Sequence, residues 1–155
     1  MFELLLPFFS LALFIFFIFI IWRINARKYI SSDTVASAYD AWTEDKLLER
    51  LWGEHIHLGF YPSGKNNIDF RKAKVLFVHE LVKWSGLNKL PKGSRILDVG
   101  CGIGGSSRIL AKYYGFNVTG ITISPAQVKR ARELTPFGLN CNFQVMDALD
   151  LKFED

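Results

Sequence analysis

Residues 95–105 read RILDVGCGIGG, and this stretch decides the fold. A short apolar run over 95–99 enters a cluster of glycines, and residues 106–114 follow with the pattern of a helix. Glycines let the chain turn tightly and let its backbone come close to a ligand. A strand, a glycine loop and a helix in this order predict the first βα unit of a cofactor-binding domain.

The same alternation continues downstream. Gly115 ends the helix, residues 117–123 (NVTGITI) predict a second strand, and residues 142–146 (NFQVM) predict a third. Between these strands, residues 124–127 (SPAQ) open another helix with a serine N-cap, a proline at the first position and a glutamine that completes a capping box. An alternating β-α-β-α-β order predicts parallel strands joined by right-handed crossovers.

The glycine pattern alone leaves two cofactor classes open. Gly100, Gly102 and Gly105 fit the dinucleotide pattern G-x-G-x-x-G, whereas Gly104 in place of Gly105 gives G-x-G-x-G. Asp98 stands two residues before the first glycine, where its carboxylate would repel a pyrophosphate. The α-ammonium and sulfonium of S-adenosylmethionine would instead be attracted to it. An alternative is that Asp98 only hydrogen-bonds the turn and that the glycines only shape it.

The end of the second strand also argues against a dinucleotide. A nicotinamide site wants an acidic residue about 20 positions after the glycine loop, to bind the ribose. The strand ends in Thr122 and Ile123 instead. The same Thr122 weakens the usual ribose-acid argument for the methyl donor. We interpret the loop as an S-adenosylmethionine site.

Composition excludes several other classes of protein. The chain has 155 residues with 19 Lys+Arg, 15 Asp+Glu and 2 Cys, and half of its 14 Phe lie within residues 2–19. Without residues 1–28, the other 127 residues carry 16 basic and 14 acidic side chains, so we expect no nucleic-acid partner. The apolar content excludes intrinsic disorder, and two distant cysteines exclude a disulfide scaffold. We expect Cys101 and Cys141 to be reduced.

Residues 1–28 predict a transmembrane anchor with a basic flank. Residues 4–22 (LLLPFFSLALFIFFIFIIW) hold 19 residues without charge, close to the roughly 20 that cross a bilayer core. Arg23, Arg27 and Lys28 follow, which predicts that the rest of the chain lies on the cytoplasmic side or its organellar equivalent. A cleaved signal peptide is the alternative, but the positive n-region and the small-x-small site that it requires are missing.

Residues 29–93 predict a helical segment before the sheet. The sequence SSD at 31–33 can cap a helix that runs to Trp42, Thr43 can cap a second over 44–52, and Asp69 can cap a third to about Ser85. In the third helix, apolar residues at spacings of three and four predict an amphipathic pattern: Phe70, Ala73, Phe77, Leu81 and Trp84. We interpret Trp42, Trp52 and Trp84 as core aromatics. Lys129, Arg130 and Arg132 predict a solvated helix face.

Three stretches carry a resemblance to a known family. Residues 96–111 (ILDVGCGIGGSSRILA) resemble class I S-adenosylmethionine-dependent methyltransferases. Residues 115–131 (GFNVTGITISPAQVKRA) and 39–61 (YDAWTEDKLLERLWGEHIHLGFY) narrow the resemblance to tocopherol and plastoquinone methyltransferases of the 2-methyl-6-phytylhydroquinone type. The last two motifs are shared in part with sterol and cyclopropane-fatty-acid methyltransferases. The resemblance covers about residues 31–151 and implies a membrane-associated enzyme of a photosynthetic organism, at a thylakoid, plasma or plastid membrane.

The resemblance also implies a set of cofactor-binding positions. They are Asp98, Gly100, Cys101, Gly102, Gly104, Thr122, Ile123, Gln127, Asp147 and Ala148. The positions in the glycine loop would line the methionine end, those around the end of the second strand the ribose, and the pair after the third strand the adenine. For Gln127 the alternative is the capping box, and for Asp147 it is a turn carboxylate. We favour the cofactor role for both.

His55 and His57 lie in the segment that the resemblance places over the cofactor pocket. A histidine with a pKa near neutrality could withdraw the proton of a hydroquinone oxygen and so raise the nucleophilicity of the ring carbon. The alternative is a structural histidine bonded to backbone. The catalytic residue stays unassigned, with these two as weak candidates, and we predict no metal.

The predicted fold class is α/β: the first half of a Rossmann-like class I methyltransferase sheet, with three parallel strands, preceded by helices and an N-terminal transmembrane helix. Residues 29–93 would cover the cofactor site and residues 94–155 would form a partial S-adenosylmethionine-binding domain. A complete sheet of this family has seven strands, with the fourth beside the first, so we expect a fragment whose first strand exposes an apolar edge.

The predicted function is methyl transfer from S-adenosylmethionine to a membrane-soluble prenylated or phytylated hydroquinone, with the membrane and the lipid-soluble acceptor as partners. One alternative is a sterol or fatty-acyl acceptor. The other is a non-catalytic, membrane-tethered nucleotide-binding module.

Overall fold

The structure, a computed structural model, describes residues 6–25, 31–63 and 67–153. The chain divides into two compact units, Met1–Thr34 and Val35–Asp155. Its elements in chain order are α1 (Leu6–Asn25), α2 (Ser32–Glu44), α3 (Leu47–Trp52), α4 (Phe70–Ser85), a 3₁₀ turn (Leu87–Lys89), β1 (Arg95–Val99), α5 (Gly105–Tyr114), β2 (Asn117–Thr122), α6 (Pro125–Leu134) and β3 (Cys141–Val145).

Helix α1 belongs to the first unit and confirms that the apolar N-terminal run is helical. Within the part of the chain that the structure describes, however, no helix has the length and apolar character needed to cross a membrane. The described residues therefore do not support the predicted transmembrane anchor over residues 1–28 or the single-anchor localisation. The prediction rested on the uncharged run over residues 4–22 and on the basic residues that follow it. Residues 1–5 and 26–30, which include the start of that run and part of the basic flank, lie outside the described residues.

The three strands form one parallel sheet in the order β1-β2-β3. Val99 of β1 pairs with Ile121 of β2, and Thr122 of β2 pairs with Val145 of β3. The prediction of three parallel strands in an α/β arrangement is confirmed. Because the strands are parallel, their carboxyl ends lie at one edge of the sheet, which is where ligands bind in such folds.

Helices pack on the sheet through two apolar clusters. One joins α4 and α5 to β2, with Val82, Ile109 and Val118 among its buried members. The other joins α6 to β3 and the glycine loop, with Ala131 and Phe143 at its centre. Cys101 of the glycine loop belongs to the second cluster, which therefore holds the loop against α6 and β3.

Strand β1 is hydrogen-bonded to β2 alone among the described strands. Its apolar side chains Leu97 and Val99 are exposed, Val99 by 54%. The predicted apolar edge at the first strand is therefore confirmed.

Helix α4 buries a different face from the one that its most apolar stripe suggests. Its buried residues are Ala73, Lys74, Val78 and Val82. Phe77, Leu81 and Trp84 are exposed, Trp84 by 85%. The aliphatic β-branched residues face the core because α5 and the sheet lie on that side, so periodicity identified the helix but not its buried face.

Two further expectations about the helical segment are wrong. Trp42, Trp52 and Trp84 are exposed rather than core aromatics. Thr43 does not begin the next helix, because it is still part of α2 and its hydroxyl donates to the Tyr39 carbonyl at 2.8 Å. The break falls at Lys46, whose φ of 55° lies in the left-handed region.

Candidate functional site

A cavity of about 460 Å³ lies where the carboxyl ends of the strands meet the glycine loop. Its walls come from three places: residues 98–106 of the β1–α5 connection, residues 121–127 and 146–148 beyond β2 and β3, and a cover formed by residues 39–57 of α2, α3 and the segment after α3. Nine of the ten predicted cofactor positions line it. The exception is Gly104.

The first two glycines of the loop, Gly100 and Gly102, line the cavity and have open space beside them. The backbone N–H groups of Gly100 and Cys101 both donate to the Ile121 carbonyl, at 2.9 and 3.0 Å, which ties the loop to the end of β2. Gly100 and Gly102 have φ values of 73° and 55°, a region that side chains with a Cβ rarely adopt. No atom lies within 4 Å of where a Cβ would stand at either position. Backbone conformation, rather than crowding, therefore requires glycine here.

Gly104 and Gly105 are needed for packing. A Cβ on Gly104, whose φ is 81°, would lie 2.6 Å from the Phe143 ring. A Cβ on Gly105 would lie 2.7 Å from the Glu54 carbonyl oxygen and 2.8 Å from the His55 ring. Gly104 is thus a packing position outside the cavity, and Gly105 lets the cover approach the start of α5.

Asp98 combines burial with a specific hydrogen bond. Its Oδ2 accepts from the Ser107 hydroxyl of α5 at 2.5 Å. Burial raises the pKa of the Asp98 carboxyl, an effect that the Ser107 bond and the charge of His57 oppose. The bond to Ser107 lies outside the glycine turn, so turn stabilisation does not account for this residue. A ligand cation placed in the cavity would relieve the cost of the buried charge.

Thr122 and Gln127 form a buried pair at the end of β2. The Thr122 hydroxyl donates to Gln127 Oε1 at 2.7 Å. Only half of the predicted capping box forms: Ser124 Oγ accepts from the Gln127 backbone N–H at 3.1 Å, while the Gln127 side chain turns to Thr122. The capping role therefore does not explain the glutamine side chain, which lines the cavity together with Thr122 and Ile123.

Asp147 combines both of the roles that the sequence left open. Its Oδ1 accepts from the Leu149 backbone N–H at 2.9 Å, as a turn carboxylate does. It also lines the cavity, with Ala148 beside it. A carboxylate has two oxygens and about four acceptor positions, so the turn bond leaves capacity for a ligand.

The cover is held over the cavity by acidic residues that sequence reasoning did not single out. Asp40 Oδ1 accepts from the Ser124 hydroxyl at 2.5 Å and from the Ala126 N–H at 3.1 Å, so α2 caps α6 from outside. Glu49 of α3 forms an ion pair with Arg130 at 2.6 Å, and Glu54 forms one with Arg108 at 2.5 Å.

Lys129 and Arg132 are exposed, as the expectation of a solvated basic face on α6 requires, and these contacts correct that expectation at Arg130. Arg130 keeps only 19% of its side chain exposed and pairs with Glu49 and Glu133. Arg132 donates to the Phe143 carbonyl at 2.6 Å. Glu49 lies 81 residues from Arg130 in sequence, so no local pattern could have indicated that ion pair. The acidic residues within 39–61 were the sequence feature that could have indicated partners for these arginines.

His55 and His57 are in direct contact on the cavity wall. His57 Nε2 lies 3.1 Å from His55 Nδ1, and His57 Nδ1 lies 2.8 Å from the Leu58 carbonyl oxygen. Burial, followed by the electrostatic interaction with His57, lowers the pKa of His55 to about 4. A near-neutral pKa, on which the general-base idea depended, is therefore absent at His55.

Neither cysteine has the character of a nucleophile. Burial raises the pKa of Cys101 to about 12 and that of Cys141 to about 11, so both stay protonated near neutrality. Both are free thiols, as expected. Cys101 therefore acts as a small residue of the cavity wall.

Comparisons with known proteins agree with this geometry. Residues 96–155 match the family described as methyltransferase domain. The chain is 60% identical over 135 residues to 2-methyl-6-phytyl-1,4-hydroquinone methyltransferase from Synechocystis sp., a match that covers 87% of this chain and 42% of that protein. It is 40% identical to a chloroplastic tocopherol O-methyltransferase from Arabidopsis thaliana, over 70% of this chain and 34% of that protein. The chain thus spans less than half the length of the curated relatives it matches.

Solved structures share the same fold. A putative sarcosine dimethylglycine methyltransferase from Galdieria sulphuraria is 28% identical with a TM-score of 0.65, over 76% of this chain and 45% of that one. The [4+2]-cyclase SpnF is 28% identical with a TM-score of 0.68, over 81% and 46%. A cyclase and a methyltransferase on one fold show that the architecture alone does not decide the reaction.

Residues 96–155 thus match a methyltransferase domain, and the parallel sheet and glycine loop resemble the cofactor-binding part of a class I methyltransferase. Within that class, the chain resembles the 2-methyl-6-phytylhydroquinone and tocopherol methyltransferases over part of their length, as the sequence motifs indicated.

Proposed function

We propose that this chain binds S-adenosylmethionine in the cavity above the strand ends and contributes the cofactor half of a methyltransferase. The observation that carries the proposal is that nine residues from three separate strand ends, each implied by the resemblance, line one cavity. When bound, the cofactor would supply an electrophilic methyl group. The chain would contribute mainly binding and orientation.

The chemistry of the walls matches the three parts of the cofactor. Asp98, a carboxylate at the glycine loop, suits the α-ammonium of the methionine end. The Thr122–Gln127 pair offers hydroxyl and amide groups to the ribose hydroxyls. Asp147, beyond β3, suits the adenine amino group as an acceptor.

We propose a lipid-soluble hydroquinone as the methyl acceptor. Support comes from the 60% identity to a relative named for 2-methyl-6-phytyl-1,4-hydroquinone, and from apolar side chains in the cover that line the cavity, including Trp42, Leu48 and Ile56. Such an acceptor is dissolved in lipid, so the reaction would take place at a thylakoid or plastid membrane surface. A sterol or fatty-acyl acceptor is the same-class alternative.

Cofactor binding is tested by calorimetry on the 155-residue chain. S-adenosylhomocysteine should bind, and NADH should bind more weakly or not at all, because Asp98 repels a pyrophosphate. Asp98→Ala should weaken S-adenosylhomocysteine binding about tenfold or more, as expected for one charge-assisted bond. Asp150→Ala serves as the matched control, because Asp150 is an exposed carboxylate outside the cavity. Tighter binding of NADH would contradict the assignment.

The acceptor is tested with a chimera that joins this chain to the remaining part of the Synechocystis relative. Labelled methyl should transfer to 2-methyl-6-phytyl-1,4-hydroquinone in preference to a sterol or an unsaturated fatty acyl lipid. A preference for either lipid would contradict the hydroquinone proposal. S-adenosylhomocysteine binding without transfer to any of the three would favour a non-catalytic module.

A further inference from the structure

We propose that His57 fixes the tautomer of His55, and that His55 Nε2 accepts a hydrogen bond from a hydroxyl group of the methyl acceptor. His57 is then a positioning residue, and His55 is the group that contacts the acceptor. The inference rests on the proposed function and names the chemical feature of the acceptor that the cavity recognises.

The tautomer follows from the partners of the two rings. The Leu58 carbonyl oxygen can only accept, so His57 Nδ1, 2.8 Å away, must carry the hydrogen. In a neutral His57 the other nitrogen, Nε2, is then an acceptor. It lies 3.1 Å from His55 Nδ1, so that nitrogen must donate. A neutral imidazole has one N–H, which leaves His55 Nε2 with a free lone pair.

The surroundings hold the His55 ring in place. Lys74 Nζ donates to the His55 carbonyl at 2.7 Å and to the Trp52 carbonyl at 3.1 Å, which fixes the backbone of the cover. The Cε1–Nδ1 edge of the ring lies against Gly105, where any Cβ would come within 2.8 Å. His57 in turn packs against the Phe77 ring, with centroids 5.3 Å apart. The pair is therefore oriented by two helices, α4 and α5.

His55 Nε2 is the ring nitrogen that remains for a ligand. Nδ1 is taken up by His57, and no hydrogen-bond partner of Nε2 occurs among the described residues. The same part of the chain contains no buried polar side-chain atom that lacks a partner, so Nε2 is reached by solvent. His55 and His57 both line the cavity that holds Asp98 and the glycine loop.

His55 acts as an acceptor rather than as a base. Its pKa of about 4 lies far below that of a phenol, about 10 as in tyrosine, so transfer of the phenolic proton to His55 is unfavourable. A hydrogen bond from the hydroxyl to Nε2 still draws the hydrogen away from oxygen and raises the electron density of the ring. The charged groups that face the pair are Glu54, Arg108, Lys74 and Asp98.

The bond would select acceptors that carry a hydroxyl on the reacting ring. A hydroquinone carries two hydroxyl groups on its ring, whereas the double bond of an unsaturated fatty acyl chain has no hydroxyl at the reacting carbons. Sites built to bind a hydroxyl discriminate strongly against analogues that lack it, because a polar group that the bound analogue covers is then left unpaired. The pair thus favours a hydroquinone over the fatty-acyl alternative.

The tautomer is measured by ¹⁵N NMR of the imidazole rings in the 155-residue chain labelled at histidine. We expect His55 Nδ1 to show the shift of a protonated nitrogen and Nε2 that of an unprotonated one. His79→Gln removes the third histidine, which bonds Tyr114 outside the cavity, and serves as the assignment control. Protonation of His55 at Nε2 would overturn the proposal.

The role of His57 is measured on two variants. His57→Phe should let His55 exchange between tautomers and give averaged nitrogen shifts. His57→Gln should restore the fixed tautomer, since its amide oxygen can accept from His55 Nδ1. The backbone spectrum reports folding of each variant, and the Gln variant carries the comparison if the Phe variant unfolds. An unchanged tautomer in His57→Phe, or averaged shifts in a folded His57→Gln, would show that His57 does not set it.

The hydroxyl contact is measured with a tail-free probe. 2,3-Dimethyl-1,4-hydroquinone should shift the His55 Nε2 resonance, whereas its 1,4-dimethoxy counterpart, which cannot donate, should not. Equal shifts with both compounds, or none with either, would overturn the contact. Calorimetric binding of S-adenosylhomocysteine is independent of the NMR titration. If neither probe shifts the His55 resonance, the cofactor proposal still stands. If S-adenosylhomocysteine does not bind, the NMR measurement of the tautomer is still valid.

Discussion

Strands β1 and β2 are neighbours in one sheet and have similarly apolar sequences, but β2 is largely buried and β1 is largely exposed. In β2, Val118 is 2% exposed and Ile121 is buried. In β1, Val99 is 54% exposed although it pairs directly with Ile121. The difference arises because β2 has a strand on each side and helices over its faces, whereas β1 has one neighbouring strand among the described residues. Apolar sequence marks a strand, but the elements around it decide what the strand buries.

The two sides of the molecule differ in burial in the same way as the two strands. The covered side, around β2, β3 and the glycine loop, carries the cavity, the two core clusters and the ion pairs of the cover. The open side, at the outer edge of β1 and the outer face of α4, presents exposed Leu81, Trp84 and Leu97. We expect substitutions on the covered side to affect stability and ligand binding, and those on the open side to affect neither in the isolated chain.

The largest expected effect comes from Phe143 of β3, which is 1% exposed and supports the glycine loop from below. Phe143→Ala should lower the free energy of unfolding by about 3–5 kcal/mol, because it removes a buried ring and leaves a cavity. Urea unfolding followed by circular dichroism measures the loss. Phe137→Ala is the matched control, at a fully exposed position, and should change the value by less than about 0.5 kcal/mol. Similar losses for both variants would contradict the assignment of the core.

The second prediction compares the two strands with one type of substitution. Val118→Ala in β2 should cost about 2 kcal/mol through two lost buried methyl groups and the cavity they leave. Val99→Ala in β1 should cost less than about 0.5 kcal/mol, because its side chain is already exposed. Both are measured by urea unfolding. Equal costs would mean that β1 is covered in solution, for example by self-association through its edge.

The third prediction concerns the cap that Asp40 places on α6. Asp40→Ala should cost about 1 kcal/mol, as the loss of an N-terminal capping group usually does. Asp150→Ala, which breaks an exposed ion pair with Lys152, should be close to neutral. Thermal and urea unfolding measure both variants. A neutral Asp40→Ala would indicate that α2 does not hold α6 in solution.

The smallest effect, and one of opposite sign, is expected at Asp98. Burial raises the pKa of its carboxyl, so the folded state favours the protonated form. The stability that this contributes is present below the ordinary aspartate pKa of about 3.9 and is lost as the pH rises through the raised value. Asp98→Asn should therefore be more stable than the parent at pH 7 and indistinguishable from it near pH 3. A variant that is less stable at pH 7 would show that the charged form is already compensated in the ligand-free chain.

Local patterns predicted most of the elements. The bounds of β1 and the end of α4 at Ser85 agree with the structure, and β2, β3 and α6 agree within one or two residues, because glycine, proline and capping residues mark these positions directly. The break between α2 and α3 was misplaced because Thr43 has a capping side chain, whereas the actual turn depends on the left-handed backbone of Lys46.

Some residues of the candidate site could be predicted from local sequence, and others could not. Positions near a glycine loop or a strand end could be identified from motifs, and most of them line the cavity. Glu54 and Asp40 could not, since their partners Arg108 and Ser124 lie 54 and 84 residues away and only the fold brings them together. The depressed pKa of His55 likewise depends on burial, which no local pattern gives.

Hydrogen–deuterium exchange with and without S-adenosylhomocysteine tests the central claim most directly. We expect added protection at backbone amides of residues 98–106, 122–127 and 146–148, and no change at residues 95–97 of β1 and along the outer face of α4. Protection of the open side, or an unchanged pattern throughout at saturating ligand, would contradict it.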